Sequence, residues 1–307
     1  MTLPARGRAG GKFILLGEHA VVYGRPALAA GLRLRLEAEV RAAAGPARVE
    51  SDHPDLLADG RPLRLVEEAA NALGLVPHGF VVSLRSEVPA GAGLGSSAAL
   101  AVAVLRALTR ATGHALATDE ELALARRLET IFHGHPSGID PAAAALGGCF
   151  RFVRGDPPAI TPLLPARPIP LVIAFGERPR STGAAVSGLR ARWEAERARH
   201  ERLFDAVAAV VEDGAGAIAT GDLPALGRAF DRNQRLLREL GVSVPDVETL
   251  VAAAYDAGAL GAKLTGGGAG GAVLALAPEP ERTAAALRAR GARTIVLQIG
   301  GAEQAAA

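Results

Sequence analysis

The sequence predicts an α+β protein of two domains, and three observations carry that reading. At 307 residues the chain is long for one core. Residues 79–111 read as a strand, a glycine-rich loop and a helix in succession, a unit typical of mixed domains. Residues 154–170 are crowded with prolines, at 157, 158, 162, 165, 168 and 170. The strands and helices beyond them alternate as in an antiparallel sheet with helices on one face. That stretch divides the chain into domains 1–166 and 167–307.

Composition narrows the function. The chain is 49% hydrophobic, ample for packed interiors, but only 4% aromatic, which leaves little for stacking single-stranded nucleic acid. Net charge is +2 and no basic run stands out, so no nucleic-acid partner is expected. Cys149 is the one cysteine, which excludes an internal disulfide and a multi-cysteine metal site. Its strand-like flanks predict a buried structural thiol. No signal peptide opens the chain and no apolar run is long enough to span a bilayer, which predicts a soluble cytoplasmic protein without a membrane partner. One count is sharper. Of 34 basic residues only Lys12 and Lys263 are lysines. Where arginine is the default cation, these two mark places that call for a compact ammonium, chance retention being the alternative.

Taken in order, residues 6–17 start small and become a strand, and residues 18–24 end in a turn at Gly24-Arg25-Pro26. Residues 32–40 alternate apolar and polar, a half-buried strand. Residues 45–60 read as a strand and a loop, and 61–73 as a helix stopped by Gly74 and Pro77. Residues 79–88, rich in β-branched and apolar types, form a strand, and 98–111, built of strong helix formers, a helix. Another helix spans 119–132, with Thr118 as N-cap and Leu122, Ala125, Leu128 and Phe132 on one face. Its end carries Glu129 and passes into a polar loop, 133–140, whose His133 and His135 lack the partners of a zinc site. Residues 147–153 and 171–175 are strands; Arg180-Ser181-Thr182 caps a long helical region that reaches residue 220. Helices follow at 223–240 and 247–257, a second glycine loop at 261–271, a strand at 272–276, a helix at 280–290 and a strand at 294–299. Residues 305–307 are expected to fray.

The first half is organised around Pro89, Ala90, Gly91, Ala92, Gly93, Leu94, Gly95, Ser96, Ser97, Ala98 and Ala99. Alternate glycines let the backbone curl and a ligand approach closely. The first N–H groups of the following helix then face that ligand, with the positive end of the helix dipole behind them. Ser96 and Ser97 add hydroxyls suited to a phosphate or to Mg²⁺. A plain strand–helix turn with a serine cap fits the same pattern. No lysine follows the last glycine, so this is not the Walker-type loop, and a lysine serving a bound nucleotide must come from elsewhere.

The joint presence of these pieces, in this order, resembles the GHMP small-molecule kinases over nearly the whole chain, and within them the mevalonate kinases. Residues 11–24 (GKFILLGEHAVVYG) resemble the family's first motif, with His19 where phosphomevalonate kinases commonly have Tyr. Residues 89–99 match the family's phosphate loop, P-x-x-x-G-L-G-S-S-A-A. Glu129 with residues 133–140 (HGHPSGID) resembles its catalytic segment, although His135 and Pro141 stand where Asn is common. Residues 179–182 (PRST), Asn233-Gln234 and 240–242 (LGV) resemble further segments. Residues 263–271 (KLTGGGAGG) resemble the third motif, with its alanine displaced to Ala269.

The resemblance implies an N-terminal α/β domain with a left-handed crossover, a ferredoxin-like C-terminal domain and an active site in the cleft between them. It implies ATP as phosphoryl donor, Mg²⁺ as cofactor and the 5-hydroxyl of mevalonate as acceptor; a homodimer is a family-level expectation. Carried over, Asp140 is the carboxylate beside the substrate hydroxyl, and Lys12 the ammonium near Asp140 and the transferring phosphoryl group. Ser97 and Glu129 hold Mg²⁺, and residues 91–97 wrap the ATP phosphates. Glu18, His19, Ser137 and Thr182 lie around mevalonate or the metal–phosphate end. Thr265, Gly266, Gly267 and Gly268 begin a loop that closes on the phosphates. The alternatives are a sister kinase acting on phosphomevalonate, another mevalonate hydroxyl, homoserine or a sugar, and an inactive homologue that binds ATP to regulate a partner.

Overall fold

Strand β1, Ala5–Leu16, alternates exposed and buried side chains at its start and is buried from Gly11 onward. Strand β2, Ala27–Pro46, is buried over its first four residues and then half-buried, as the alternation at 32–40 predicts. The computed structural model describes residues 1–53, 56–132, 136–176, 182–268 and 272–300, with backbone only at 182–184. His133, His135, Arg180, Ser181, Ala269 and residues 305–307 therefore lie outside the described residues. The chain groups into two compact units. One comprises Met1–Lys12, Gly31–Ala90 and Leu94–Gly147; the other comprises Phe13–Ala30, Gly91–Gly93 and the chain from Gly148 on. These units interleave along the sequence.

In the first unit, β4 (His78–Ser86) pairs antiparallel with β2, from Leu36 opposite Ser86 to Ala42 opposite Phe80, and parallel with β3 (Arg48–Ser51). Leu36, Ala38 and Val40 of β2 join Phe80, Val82 and Leu84 of β4 on one buried face. That face packs on α1 (Arg61–Ala72) and α2 (Ser96–Thr112), whose residues 98–105 are all buried. Each large apolar side chain so buried contributes roughly 1.5–3 kcal/mol. The other face carries charge, including Arg6 with Glu39 and Arg8 with Glu37. β1 lies close against α2 because position 7 is glycine: a Cβ there would stand 2.0 Å from Ala103 O. α2 ends in a Schellman turn, with Gly113 at φ 70° and His114 N–H donating to Thr109 O at 3.0 Å.

Helix α3, Thr118–Glu129, starts one residue earlier than Thr118 as N-cap implies. The cap position is Ala117, which has no polar side chain, and Glu120 instead accepts the Ala117 N–H at 2.9 Å. Its last turn stops at Glu129, and residues 130–132 form a turn rather than more helix. Helix α4, Ile139–Leu146, follows.

In the second unit the start of β2 pairs antiparallel with β5 (Cys149–Val153), and β5 with β6 (Ala159–Leu163). β6 lies inside the proline-crowded stretch at which the sequence reading places the domain boundary and names no strand. Cys149 is buried, and burial pushes its thiol up to about 12, so it is inert. A separate four-stranded sheet contains β7 (Ile169–Phe175), β8 (Gly261–Thr265), β9 (Ala272–Leu276) and β10 (Arg293–Ile299), in the order β10-β7-β9-β8 and antiparallel throughout. With α5 (Thr182–Ala195), α6 (Arg197–Thr220), α7 (Leu223–Glu239) and α8 (Pro245–Asp256) between β7 and β8, and α9 (Pro280–Arg288) between β9 and β10, this is the ferredoxin-like arrangement. The long helical region expected up to residue 220 is two helices, broken at Glu196, where φ is −129° and ψ 53°. The second glycine loop is also shorter than expected, because residues 261–265 are β8. No helix among the described residues is long and apolar enough to cross a membrane.

Candidate active site

The glycine loop leaves β4 and enters α2 with Gly91, Gly93 and Gly95 at φ 71°, 76° and 79°, a left-handed conformation that side chains disfavour. At Gly91 and Gly93 the dihedral alone calls for glycine, since a Cβ would meet open space. At Gly95 space calls for it too: a Cβ would lie 2.5 Å from Lys12 Cγ. Lys12 N–H donates to Leu94 O at 2.8 Å, which stitches the lysine's strand to the loop. The cap residue of α2 is Gly95, which has no side chain to cover the helix N-terminus, an end that favours an anion. Ser96 and Ser97 are half-buried in that first turn. Pro89 is half-buried and Ala90 exposed, whereas Ala92, Leu94, Ala98 and Ala99 point into the core and reach a ligand only by backbone.

Lys12 is 5% exposed, and its Nζ lies 2.9 Å from Asp140 Oδ2. Asp140 sits in the first turn of α4, after Gly138 at φ 89°, where the helix dipole favours a carboxylate. Ser137 Oγ accepts the Ile139 N–H at 3.4 Å and so supports that turn. Glu129, the last residue of α3, is buried, and its Oε2 has no hydrogen-bond partner. Burial pushes its carboxyl well above the usual range; the Asp140 charge adds to this and Lys12 partly offsets it. An orphaned, buried carboxylate oxygen beside a second carboxylate is an environment that a hard cation would relieve. Among the described residues no cluster of three or more His, Cys, Asp and Glu is placed to cage a metal. One or two carboxylates completed by substrate phosphates is a donor set that suits Mg²⁺.

The second unit holds the other predicted residues. Both oxygens of the Glu18 carboxylate are occupied: Lys263 Nζ bonds Oε1, and Asn233 Nδ2 donates to Oε2 at 3.0 Å. Lys263 also donates to Leu264 O at 2.5 Å. The side chains of this pair are 0% and 1% exposed. Burial raises the Glu18 carboxyl and lowers the Lys263 ammonium, each partly restored by the other. Next to Glu18, His19 has φ 64°, the one positive φ outside glycine among the described residues. Its ring is buried, with Nε2 unpartnered. Burial, with the Arg192 charge second, brings its pKa down to about 4, so the ring is neutral near pH 7.

Thr265 Oγ1 accepts from Ile14 N at 3.1 Å and donates to Ile14 O at 2.8 Å, so this hydroxyl clips β8 to β1. The adjoining loop begins with Gly266 at φ 90° and continues through Gly267 to Gly268 at φ 76°. Thr182 opens α5; only its backbone is described. Sequence reasoning left Lys263 without a partner and Asn233 and Gln234 without a task. Gln234 Oε1 accepts from Leu264 N at 2.8 Å, and its Nε2 donates to Glu248 Oε1 at 2.8 Å. The scarcity of lysine, and the resemblance of Asn233-Gln234 and residues 263–271 to family segments, were the signals that pointed here.

Three comparisons bear on this geometry. Residues 62–148 match the model of the GHMP kinases N terminal domain, and residues 215–293 that of the GHMP kinases C terminal. A protein of Thermococcus sibiricus named mevalonate kinase is 34% identical over 94% of this chain and 94% of its own length. One of Thermococcus gammatolerans, of the same name, is 36% identical with the same coverage. Among solved structures, L. major mevalonate kinase in complex with R-mevalonate superposes with a TM-score of 0.87 at 26% identity, covering 98% of this chain and 99% of that one.

Proposed function

The chain belongs to the GHMP kinase family, and we propose that it transfers the γ-phosphoryl group of ATP to the 5-hydroxyl of mevalonate. The products are 5-phosphomevalonate and ADP, in isoprenoid biosynthesis. The relatives named mevalonate kinase, alike over nearly their whole length, support the choice of substrate. The observation that carries the chemistry is the ion pair between buried Lys12 and partly exposed Asp140, 2.9 Å apart. Phosphoryl transfer asks mainly for positioning and charge neutralisation, and this pair supplies both.

An alcohol is about as weak an acid as water, near 15.7, whereas Asp has a reference pKa of about 3.9. Asp140 therefore does not ionise the free alcohol. It orients the hydroxyl and accepts the proton late, as the new O–P bond forms. Lys12 stabilises the developing negative charge on the attacking oxygen and the equatorial phosphoryl oxygens. The N–H groups of residues 91–97 and of the loop from Thr265 through Gly268 hold the ATP phosphates, Thr265 by backbone because its hydroxyl is engaged. Glu129 and Ser97 hold Mg²⁺. A cation held there would supply charge neutralisation for the phosphate oxygens and would favour the ionised Glu129 carboxyl. Glu18, His19, Ser137 and Thr182 surround mevalonate, with neutral His19 offering Nε2 to a substrate oxygen.

We further assign 1–166 and 167–307 as the two family domains, because the matched segments end at 148 and resume at 215. The cytoplasm, which supplies ATP and Mg²⁺, is the proposed location. The test is coupled ADP release with Mg²⁺-ATP on mevalonate, phosphomevalonate and homoserine in parallel. Turnover on mevalonate alone is expected. Turnover on either other alcohol and not on mevalonate moves the specificity to a sister kinase. ADP release from none of them overturns the reading.

A further inference from the structure

Arg106 lies in the middle of α2, and its guanidinium reaches three other elements. Nε and Nη2 donate to the two oxygens of Glu121, at 2.7 and 3.0 Å, a fork-to-fork pair on α3. Nη2 also donates to Ala145 O at 2.8 Å, a carbonyl in the last turn of α4. Nη1 donates to Arg8 O at 3.0 Å, on β1. With its own helix that makes four elements: β1 bears Lys12, α2 bears Ser97, α3 ends at Glu129 and α4 begins at Asp140. The candidate catalytic set thus comes from the same four elements that this one side chain joins. Arg106 is 29% and Glu121 15% exposed, so the clasp is largely shielded from solvent.

We propose that Arg106 is a positioning residue that holds Lys12, Asp140, Glu129 and Ser97 in register from the far side of their elements. The inference rests on the kinase reading above. A planar fork with five fixed donors can satisfy a carboxylate and two carbonyls at once; an ammonium on a flexible stem cannot. Apolar packing between these elements, which includes Leu100, Val104 and Leu105 of α2 and Leu128 of α3, is non-directional; the Arg106 bonds add direction to it. A misplacement near 1 Å at reacting groups costs about 10²-fold in rate.

The experiment compares wild type, Arg106→Met and Arg106→Lys, with Arg151→Lys as control. Arg151 also makes a bidentate pair, with Glu212, but on β5 and α6. Rates are divided by the folded fraction read from each variant's unfolding curve. Arg106→Met is expected to lose about tenfold in kcat, with KM for the alcohol within twofold of wild type and the half-saturating Mg²⁺ raised severalfold. Arg106→Lys falls between, and Arg151→Lys matches wild type. A purely structural role lowers the unfolding temperature but leaves kcat per folded molecule and the Mg²⁺ requirement unchanged, and that result overturns the proposal. So does an equal loss in Arg151→Lys. If Arg106→Met does not fold, Arg106→Lys is judged by the same criteria. If wild type phosphorylates no alcohol, the kinase reading fails by itself. The inference is then scored by calorimetric titration with Mg²⁺-ADP, which Arg106→Lys weakens severalfold if it holds and leaves unchanged if it does not.

Discussion

Replacing Lys263 with methionine keeps the length of the side chain and removes its charge. In wild type, Lys263 and Glu18 are 0% and 1% exposed, and Lys263 also bonds Leu264 O. Lys263→Met leaves Glu18 with Asn233 alone, in a site whose burial already raises its carboxyl. Breaking a buried pair from one side costs about 3–5 kcal/mol, because the surviving charge must stay buried unpaired or take up a proton. Removing both charges avoids that penalty. In Glu18→Gln/Lys263→Met the glutamine still accepts from Asn233, so the double variant is expected within about 1–2 kcal/mol of wild type. The sign with pH is also fixed. Without Lys263 the folded-state pKa of Glu18 rises further above its unfolded value. Stability is unaffected below the unfolded pKa and is lost as pH rises from there to the folded pKa. The single variant is therefore closer to wild type at pH 5 than at pH 8. Urea unfolding followed by circular dichroism, at both pH values and on all three proteins, gives the numbers. A single variant within about 1 kcal/mol of wild type at pH 8, or a double variant worse than the single, refutes the reasoning.

Further expectations follow from the site. Asp140→Ala and Lys12→Arg each lose at least about tenfold to a hundredfold in kcat, the scale of a positioned proton acceptor or charge stabiliser, with near-normal turnover counting against the assignments. Gly95→Ala places a Cβ 2.5 Å from Lys12 Cγ at φ 79°, so it lowers both stability, by about 1–3 kcal/mol, and turnover; a variant as stable and active as wild type contradicts that close approach. Burial brings the His19 pKa down to about 4 from the ordinary histidine value of about 6.5, so stability is present above 6.5 and lost as pH falls toward 4. Between pH 7.5 and 4.5 that amounts to about 2–3 kcal/mol. Unfolding measured at both pH values in His19→Gln should show a decline smaller by that amount; an unchanged decline rejects the shift.

The parts of the fold that depend on local rules were legible. Gly91, Gly93 and Gly95 announced a left-handed loop because few other residues adopt such dihedrals, and residues 32–40 announced a half-buried strand by their period. The helix break at Glu196 was not legible, since no Gly or Pro marks it. Strand β6 was hidden by Pro162 and the prolines around it: Pro162 sits opposite Phe150 in a strand that, among the described residues, ends the sheet order beside β5, where a missing N–H is tolerated. Thr118 looked like a cap because local pattern favours threonine there, and the Glu120 side chain took the task instead. In the site, Lys12 and Asp140 were found from motif and lysine scarcity. The occupation of Glu18 by Lys263, 245 residues away, was not, because only tertiary folding brings them together. Arg106 carried no signal either, being one arginine in a chain where arginine is the ordinary cation.

The central claim concerns which oxygen receives the phosphate. Phosphorus NMR of the product formed from mevalonate and Mg²⁺-ATP reads this directly. The account predicts one new phosphomonoester resonance, split into a triplet by the two protons of the primary carbon, growing in step with ADP. An unsplit resonance, which places the phosphate on the tertiary oxygen, or ADP formed with inorganic phosphate alone, contradicts it.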